Sequence, residues 1–317
     1  MKSIVLQLSG RLVVLAGILL VVSMGVFVLI HLLPGNPAYA ILGPGATPSA
    51  VAKITRQLGL DRPILTQYMS WLGRAIHGNL GTSYVTQQSV SSAIGHALPV
   101  DIELVALSQI IAFGVAIPLA MSASRRPGSL FDRFATGFSL GSLSLPAFVV
   151  GVPLVLLLAV TVHWFRATGY VSLLSNPLTN LHDMVLPSLT LAIGSIAIYF
   201  RLLRNDLIST MKEDFVALAR SKGLTSREVM YRHVLRPSMF SLMTATAINV
   251  GSLIGGAVVV EYLFDMPGMG LLLVDSIYAR DYLMAQGVIL VLAALFVLAN
   301  FIVDILYHIV DPRVRNA

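Results

Sequence analysis

EDFVALARSKGLTSREVMYRHVLRP, residues 213–237, is a charged, helix-forming stretch held between two long apolar runs. A chain that keeps this much charge together in one loop presents a docking surface to something soluble. Which side of the membrane the loop occupies also fixes how the whole chain is threaded.

The surroundings make it a membrane chain. Hydrophobic residues are 56% and charged residues 11% of 317, against about 25% charged in soluble domains, and mean hydropathy is +0.83. Six runs approach the roughly 20 apolar residues that cross a bilayer: Leu12–Ile30, Leu104–Ala123, Phe134–Val162, Met184–Phe200, Pro237–Val260 and Tyr282–Val303. None contains Asp, Glu, Lys or Arg. The third is long and holds Pro146 and Pro153, which predicts a tilt or kink; the fourth is short. The expected fold class is an all-α membrane protein with six transmembrane helices. The absence of cysteine excludes disulfides, thiolate nucleophiles and cysteine-ligated metals.

Orientation follows from where the 21 basic residues fall. One side receives Lys2, Arg11, Arg125, Arg126, Arg133, the eight from Arg201 to Arg236, Arg313 and Arg315. The other receives Lys53, Arg56, Arg62 and Arg74 in one long loop, then Arg166 and Arg280. Both termini and the 213–237 loop are therefore expected in the cytoplasm. Ala38-Tyr39-Ala40 offers a small-x-small cleavage site, but the preceding apolar run is too long for a secretory signal and reads as an uncleaved anchor.

Three regions are expected: 1–31, the N-terminal segment and first span; 32–100, an external loop; and 101–317, a five-helix core with the cytoplasmic loop at 204–237. The external region predicts short helices over Ser49–Leu58 and Ile64–Ile76, separated by the turn Gly59–Pro63. It has too few apolar residues to form a domain alone and is expected to fold onto the helix ends. In the membrane, Gly137/Gly141 and Gly251/Gly255 have the spacing that lets helices approach closely. Asn249, Ser252 and Gly256 share one face of the fifth span. They line a translocation path or supply interhelical hydrogen bonds.

Within the loop, Thr210/Glu213 and Thr225/Glu228 have capping-box spacing, and Gly223 between them suits a left-handed helix end. The segment reads as helix, turn, helix. Phe215, Leu218 and Ala219 form one apolar strip; Met230, Tyr231, Val234 and Leu235 form the other. Three roles compete: a DNA-binding helix-turn-helix, a helix pair lying on anionic lipid, or a lever for a soluble subunit. The first is disfavoured because both ends are tethered at the bilayer. Alanines and a glycine favour the last, since a partner that comes close needs small residues.

Here the sequence resembles a known family. Asp214-Phe215-Val216, Ala219-Arg220-Ser221-Lys222-Gly223-Leu224, Val229 and His233-Val234-Leu235-Arg236 resemble the EAA loop of binding-protein-dependent ABC importer permeases, in particular the B-type permease of the dipeptide, oligopeptide, nickel and glutathione branch. Leu33–Pro37, Leu58–Pro63, His77–Gly81, Glu261–Phe264, Pro267–Gly270, Arg280–Tyr282 and Asp311–Arg315 resemble the same branch. The chain departs from the general pattern at Ala217-Leu218-Ala219, where Glu-Ala-Ala is usual, and at Arg236, with proline one place later. A salt-bridge role for that glutamate does not carry over to Ala217.

The resemblance implies the type I ABC importer transmembrane fold in a bacterial inner membrane. It implies a heterodimer with a second permease, two ATP-binding subunits that hold ATP and Mg, and an extracytoplasmic substrate-binding protein. The chain itself has no phosphate-binding Gly-x-x-x-x-Gly-Lys-Ser/Thr loop, so it is expected to be no enzyme and to bind no cofactor. Asp214, Phe215, Ala219, Arg220, Lys222, Gly223, Leu224 and Leu235 are the expected ATPase-coupling residues, with His233 and Arg236 bracing them. Asn249, Ser252, Gly256, Glu261, Asp265, Pro267, Gly268 and Gly270 are candidates for the substrate path or an outer gate. Histidines 31, 77, 163 and 182 are scattered without close ligand spacing, which predicts no metal site. Peptide is the expected substrate, with nickel or glutathione as alternatives. A stand-alone secondary transporter is the competing class, and the charge-free spans argue against ion coupling.

Overall fold

The computed structural model describes residues 2–32, 37–43, 45–57 and 59–310. The motif Leu33–Pro37, apart from Pro37, and the terminal motif Asp311–Arg315 lie outside the described residues, as does Leu58. In order, the helices are α1 Lys2–Leu32, α2 Pro37–Leu42, α3 Pro48–Gln57, α4 Ile64–Ile76, α5 Val90–Arg125, α6 Leu130–Leu143, α7 Ala147–Leu154, α8 Pro177–Thr210, α9 Asp214–Ser221, α10 Ser226–Glu228, α11 Leu235–Phe264, α12 Met269–Tyr278 and α13 Tyr282–Val310. Two π-helical turns, Val155–Thr161 and Val229–Val234, continue α7 and join α10 to α11. Among the described residues there is no strand beyond an isolated bridge between Thr82 and Ser89.

Among the described residues, four stretches are long and apolar enough to cross a membrane: Val90–Arg125, Pro177–Thr210, Ser226–Phe264 and Tyr282–Phe301. The third expected span is sharper than a kink. Leu130–Leu143 and Ala147–Thr161 meet at 107°, a fifth crossing if the pair counts as one. The break falls where the chain must leave the helix: Leu145 precedes a proline and is disfavoured in the α region, and Pro146 then caps α7. In α1, Val14–Leu29 forms a shorter apolar helix. The long helices also overrun their apolar runs, so Asp101, Glu103, Asp183 and Glu261 stand on helices although outside the runs.

The chain divides into two compact units. One joins 1–101 to 267–297. Its core gathers Phe27 of α1, Tyr68 and Trp71 of α4, Leu80, Val90, Ala93, Ile94, Ala97, and Met269, Met284 and Val288 of α12 and α13. Phe27 meets Tyr68 edge-on at 5.5 Å between ring centroids, and the Tyr68 hydroxyl lies 2.8 Å from Ser23 Oγ. The external region therefore has no separate core. Asp281 accepts a hydrogen bond from the Ser83 hydroxyl, Asp101 Oδ2 accepts from the Met269 N–H at 2.8 Å, and Gly287 packs directly under Val90.

The other unit joins 102–266 to 298–317 and is organised by α8, against which α6, α7 and α11 pack. Close approach occurs at Gly151 of α7. A Cβ there would stand 2.7 Å from Leu263 Cδ2 and 3.0 Å from Thr190 Cγ2. At Gly137, Gly141 and Gly255 a Cβ would meet nothing within 4 Å among the described residues, so these members of the expected pairs make no close helix contact there. At one end of α8, Glu103 Oε2 accepts from the Tyr170 hydroxyl at 3.0 Å and from Asn180 Nδ2 at 2.9 Å. Burial, then the Glu103 carboxylate, push the Tyr170 phenol up to about 12. Beside them the buried Asp183 lies 3.6 Å from Arg166 Nη1.

Candidate functional site

The segment 213–237 is built by α8, α9 and the start of α11. Helix α8 runs through Thr210, so the first expected capping box does not form; Glu213 instead stands as the N-cap of α9 with no side-chain cap. Thr210 Oγ1 lies 3.2 Å from Ser238 Oγ, which ties the two ends of the segment together. The far end of α9 closes as a Schellman motif. The Leu224 N–H reaches Ala219 O at 3.4 Å and the Gly223 N–H reaches Arg220 O at 3.0 Å, with Gly223 at φ +83°. The second capping box forms in full: Glu228 N–H donates to Thr225 Oγ1 at 3.3 Å, and Thr225 N–H donates to Glu228 Oε2 at 3.0 Å.

From that cap the helix runs unbroken from Ser226 to Phe264. The second half of the segment is thus the first turns of the fifth span and not a separate helix. The π-helical turn Val229–Val234, closed by Leu235 N–H on Met230 O, lies just before Pro237. There an α-helix would set the proline ring against the His233 carbonyl.

The buried face is one residue out of phase with the expected strip. Val216 and Ala219 of α9, and Val229, Met230 and Val234 of the π-turn, join a core with Tyr199, Phe200, Leu203 and Leu207 of α8 and with Ala112, Ala116, Ala120 and Met121 of α5. Leu224, Leu235 and His233 are half-buried. Asp214, Arg220, Lys222, Gly223 and Arg236 are exposed, together with Phe215 at 46% and Leu218 at 56%. Tyr231 is also exposed, with the Arg227 guanidinium 5.9 Å from its ring centroid. The rooted side is apolar, and the outward side sets two aromatic residues and one leucine amid arginines. Aromatic and arginine residues with an apolar centre are the composition of a protein interface. Sequence reading missed Leu218, Arg227 and Tyr231 as members of that outward face. Their signal was the spacing of Leu218, Arg227 and Tyr231 around the two helix ends. Ala219, expected at the partner surface, belongs to the root.

The path and gate candidates divide between the two units. Asn249 is buried, its Nδ2 donating to Ser195 Oγ at 2.7 Å and Tyr199 Oη at 2.9 Å, while the Tyr199 hydroxyl donates to Gln109 Oε1 at 2.7 Å. This is the interhelical bonding named as the alternative to lining a path. Ser252 is exposed with its hydroxyl on Asn249 O, and Gly256 is half-buried. Glu261 is buried, and Asp265 is exposed in the left-handed C-cap of α11 at φ +51°. Pro267, which is exposed, and Gly268 and Gly270, which are buried, fall in the unit that holds α12. Among the described residues no three His, Cys, Asp or Glu side chains gather as a metal site. His77 Nδ1 is taken up by Gly73 O, and His182 Nε2 by Trp164 O, each at 2.8 Å; the side chain of His31 lies outside the described residues.

The description "binding-protein-dependent transport system inner membrane component" matches residues 116–316, and its N-terminal counterpart matches residues 4–105. The chain belongs to this family of permeases. A peptide transport system permease protein of Brucella abortus is 40% identical over 298 residues, covering 94% of this chain and 95% of that one. A peptide ABC transporter permease protein of Sinorhizobium fredii is 33% identical over 305 residues, covering 96% and 97%. The dipeptide transport system permease protein of Escherichia coli is 34% identical over 316 residues, covering 92% and 93%. The resemblance to the peptide branch thus extends along nearly the whole permease. Family membership also sets aside the stand-alone secondary transporter.

Proposed function

We propose that the chain is the transmembrane permease subunit of an ATP-driven peptide importer, forming half of the translocation path. Six crossings, with α1 and the broken pair α6–α7 each counting as one, and cytoplasmic termini complete the topology. The partners are a second homologous permease, two ATP-binding subunits holding ATP and Mg, and an extracytoplasmic binding protein. The observation that carries this reading is the two-sided segment 213–237. Its apolar face is rooted on α8 and α5, its outward face offers Phe215, Leu218, Arg220, Lys222 and Tyr231, and its second half is continuous with α11. A partner that moves this elbow moves a spanning helix directly, which suits a two-state, inward- or outward-open path. Dipeptides or oligopeptides are the substrates we infer, since two of the relatives are named for peptide transport and the third for dipeptide transport. A nickel or glutathione importer permease of the same branch is the alternative.

The test is purification of the tagged chain from its native membrane. Co-purification of an ATPase, and uptake in liposomes only with that ATPase and the binding protein, is the expected result. Transport by the chain alone, with no ATPase bound, refutes the reading.

A further inference from the structure

Helix α6 is weakly held by apolar packing. Its buried residues are Asp132, Ala135, Ser139 and Ser142, whereas Phe131, Phe134 and Phe138 are exposed. Inside a bilayer a face of small and polar side chains lets α6 come close to α8, but apart from Ala135 it puts no apolar side chain into the core to set its register. Beside Ala135, which lies in the core, a charged pair anchors the start of α6. Asp132 Oδ1 accepts from Arg204 Nε at 2.5 Å and Oδ2 accepts from Arg204 Nη2 at 2.6 Å, a bidentate fork. The same Oδ2 accepts from the Gly128 N–H at 2.8 Å, and the Asp132 N–H donates to Ser129 Oγ at 3.3 Å. One carboxylate therefore fastens both the turn before α6 and the helix itself to α8. On α8, Arg204 follows Leu203 and stands one turn before Leu207, and both leucines lie in the core that roots the 213–237 elbow.

We propose that Asp132 and Arg204 are positioning residues of the transport cycle. Their pair makes α6, the first half of the broken span, move as one body with α8 when the elbow is displaced. The proposal rests on the coupling role given to 213–237 above. Without the fork, α8 still receives the motion but α6 no longer follows it in register. ATP hydrolysis then continues while less substrate crosses per ATP.

The chain has no cysteine, so within this subunit only the introduced positions take the label. Spin labels at Phe134→Cys on α6 and Leu202→Cys on α8, in the complete complex, report the distance between the two helices with and without a trapped ATP analogue. With the native pair, the distance is expected to stay the same in both states. With Asp132→Asn or Arg204→Gln it broadens or shifts on ATP binding. In parallel, uptake of radiolabelled dialanine per ATP hydrolysed falls about 2- to 30-fold in either variant, the span expected of residues that carry coupling between sites. The double variant is no worse than the worse single one, because both remove the same interaction. Arg204→Lys keeps the charge but loses the fork, folds if the others do not, and gives an intermediate ratio. An unchanged distance with an unchanged ratio in complexes that assemble overturns the proposal, and so does a loss confined to yield. If the parental complex itself lacks a bound ATPase, the coupling reading has failed; if it has one and only the variants behave as parent, the clamp alone has failed.

Discussion

Replacing Gly223 separates two reasons for a glycine at the elbow. The residue sits at φ +83°, where an added Cβ would meet nothing within 4 Å among the described residues. The cost of a side chain there is therefore conformational and not steric within the chain. Holding an L-residue in the left-handed region costs about 1–2 kcal/mol, least for Asn and more for Ala or a β-branched residue. That cost opposes the Schellman bonds of Gly223 and Leu224 and shifts the end of α9 towards fraying by about 5- to 30-fold. The root residues Val216, Ala219 and Val234 remain buried, so insertion and thermal stability of the chain should change little. In reconstituted complexes, uptake per ATP is expected to fall in the order Asn, Ala, Val, with Val worst, while the amount of assembled complex stays near parental. Parental coupling in all three variants refutes the elbow. Equal losses for Asn and Val refute the conformational reasoning and leave close approach of a partner as the cause.

Other substitutions test the framework around it. Gly151→Val forces Cβ onto Leu263 and Thr190 and should cost about 1–3 kcal/mol of stability, seen as a lower melting temperature in detergent, whereas Gly137→Ala should be silent. Asn249→Leu leaves the buried Ser195 and Tyr199 hydroxyls short of a partner, at a cost of about 1–3 kcal/mol, without altering which peptides compete for uptake. Thr225→Ala removes the capping box and costs about 1 kcal/mol, read as faster amide exchange over residues 225–230, and Thr225→Ser restores it.

Much of this was legible in the sequence. Apolar runs of about 20 residues located the long helices, the turn at Gly59–Pro63 separated α3 from α4, and the Thr225/Glu228 spacing marked a cap that forms. Gly223 was readable because only the left-handed region requires it. The misses have physical causes. Phe215, Val216, Leu218 and Ala219 are all apolar, so periodicity alone could not choose between the two faces of α9; packing on α8 chose Val216 and Ala219. Thr210 had the right spacing for a cap but lies in the last turn of α8, which an apolar profile ended ten residues earlier. Two prolines signalled a disturbance in the third span, yet the 107° break depends on α7 seating Gly151 between α8 and α11. Helix α12 has only ten residues and left no span-length signal. The Asp132–Arg204 pair joins residues 72 apart in sequence, which no local pattern predicts.

The central claim is that 213–237 receives the ATP-binding subunits. A photo-crosslinking residue in place of Phe215, compared in the native membrane with the same residue in place of Phe134, tests it most directly. Both positions are exposed and apolar, but only the first lies on the elbow. The account predicts a covalent adduct with an ATP-binding subunit from position 215 and none from position 134. An adduct with that subunit from position 134, and none from 215, contradicts it.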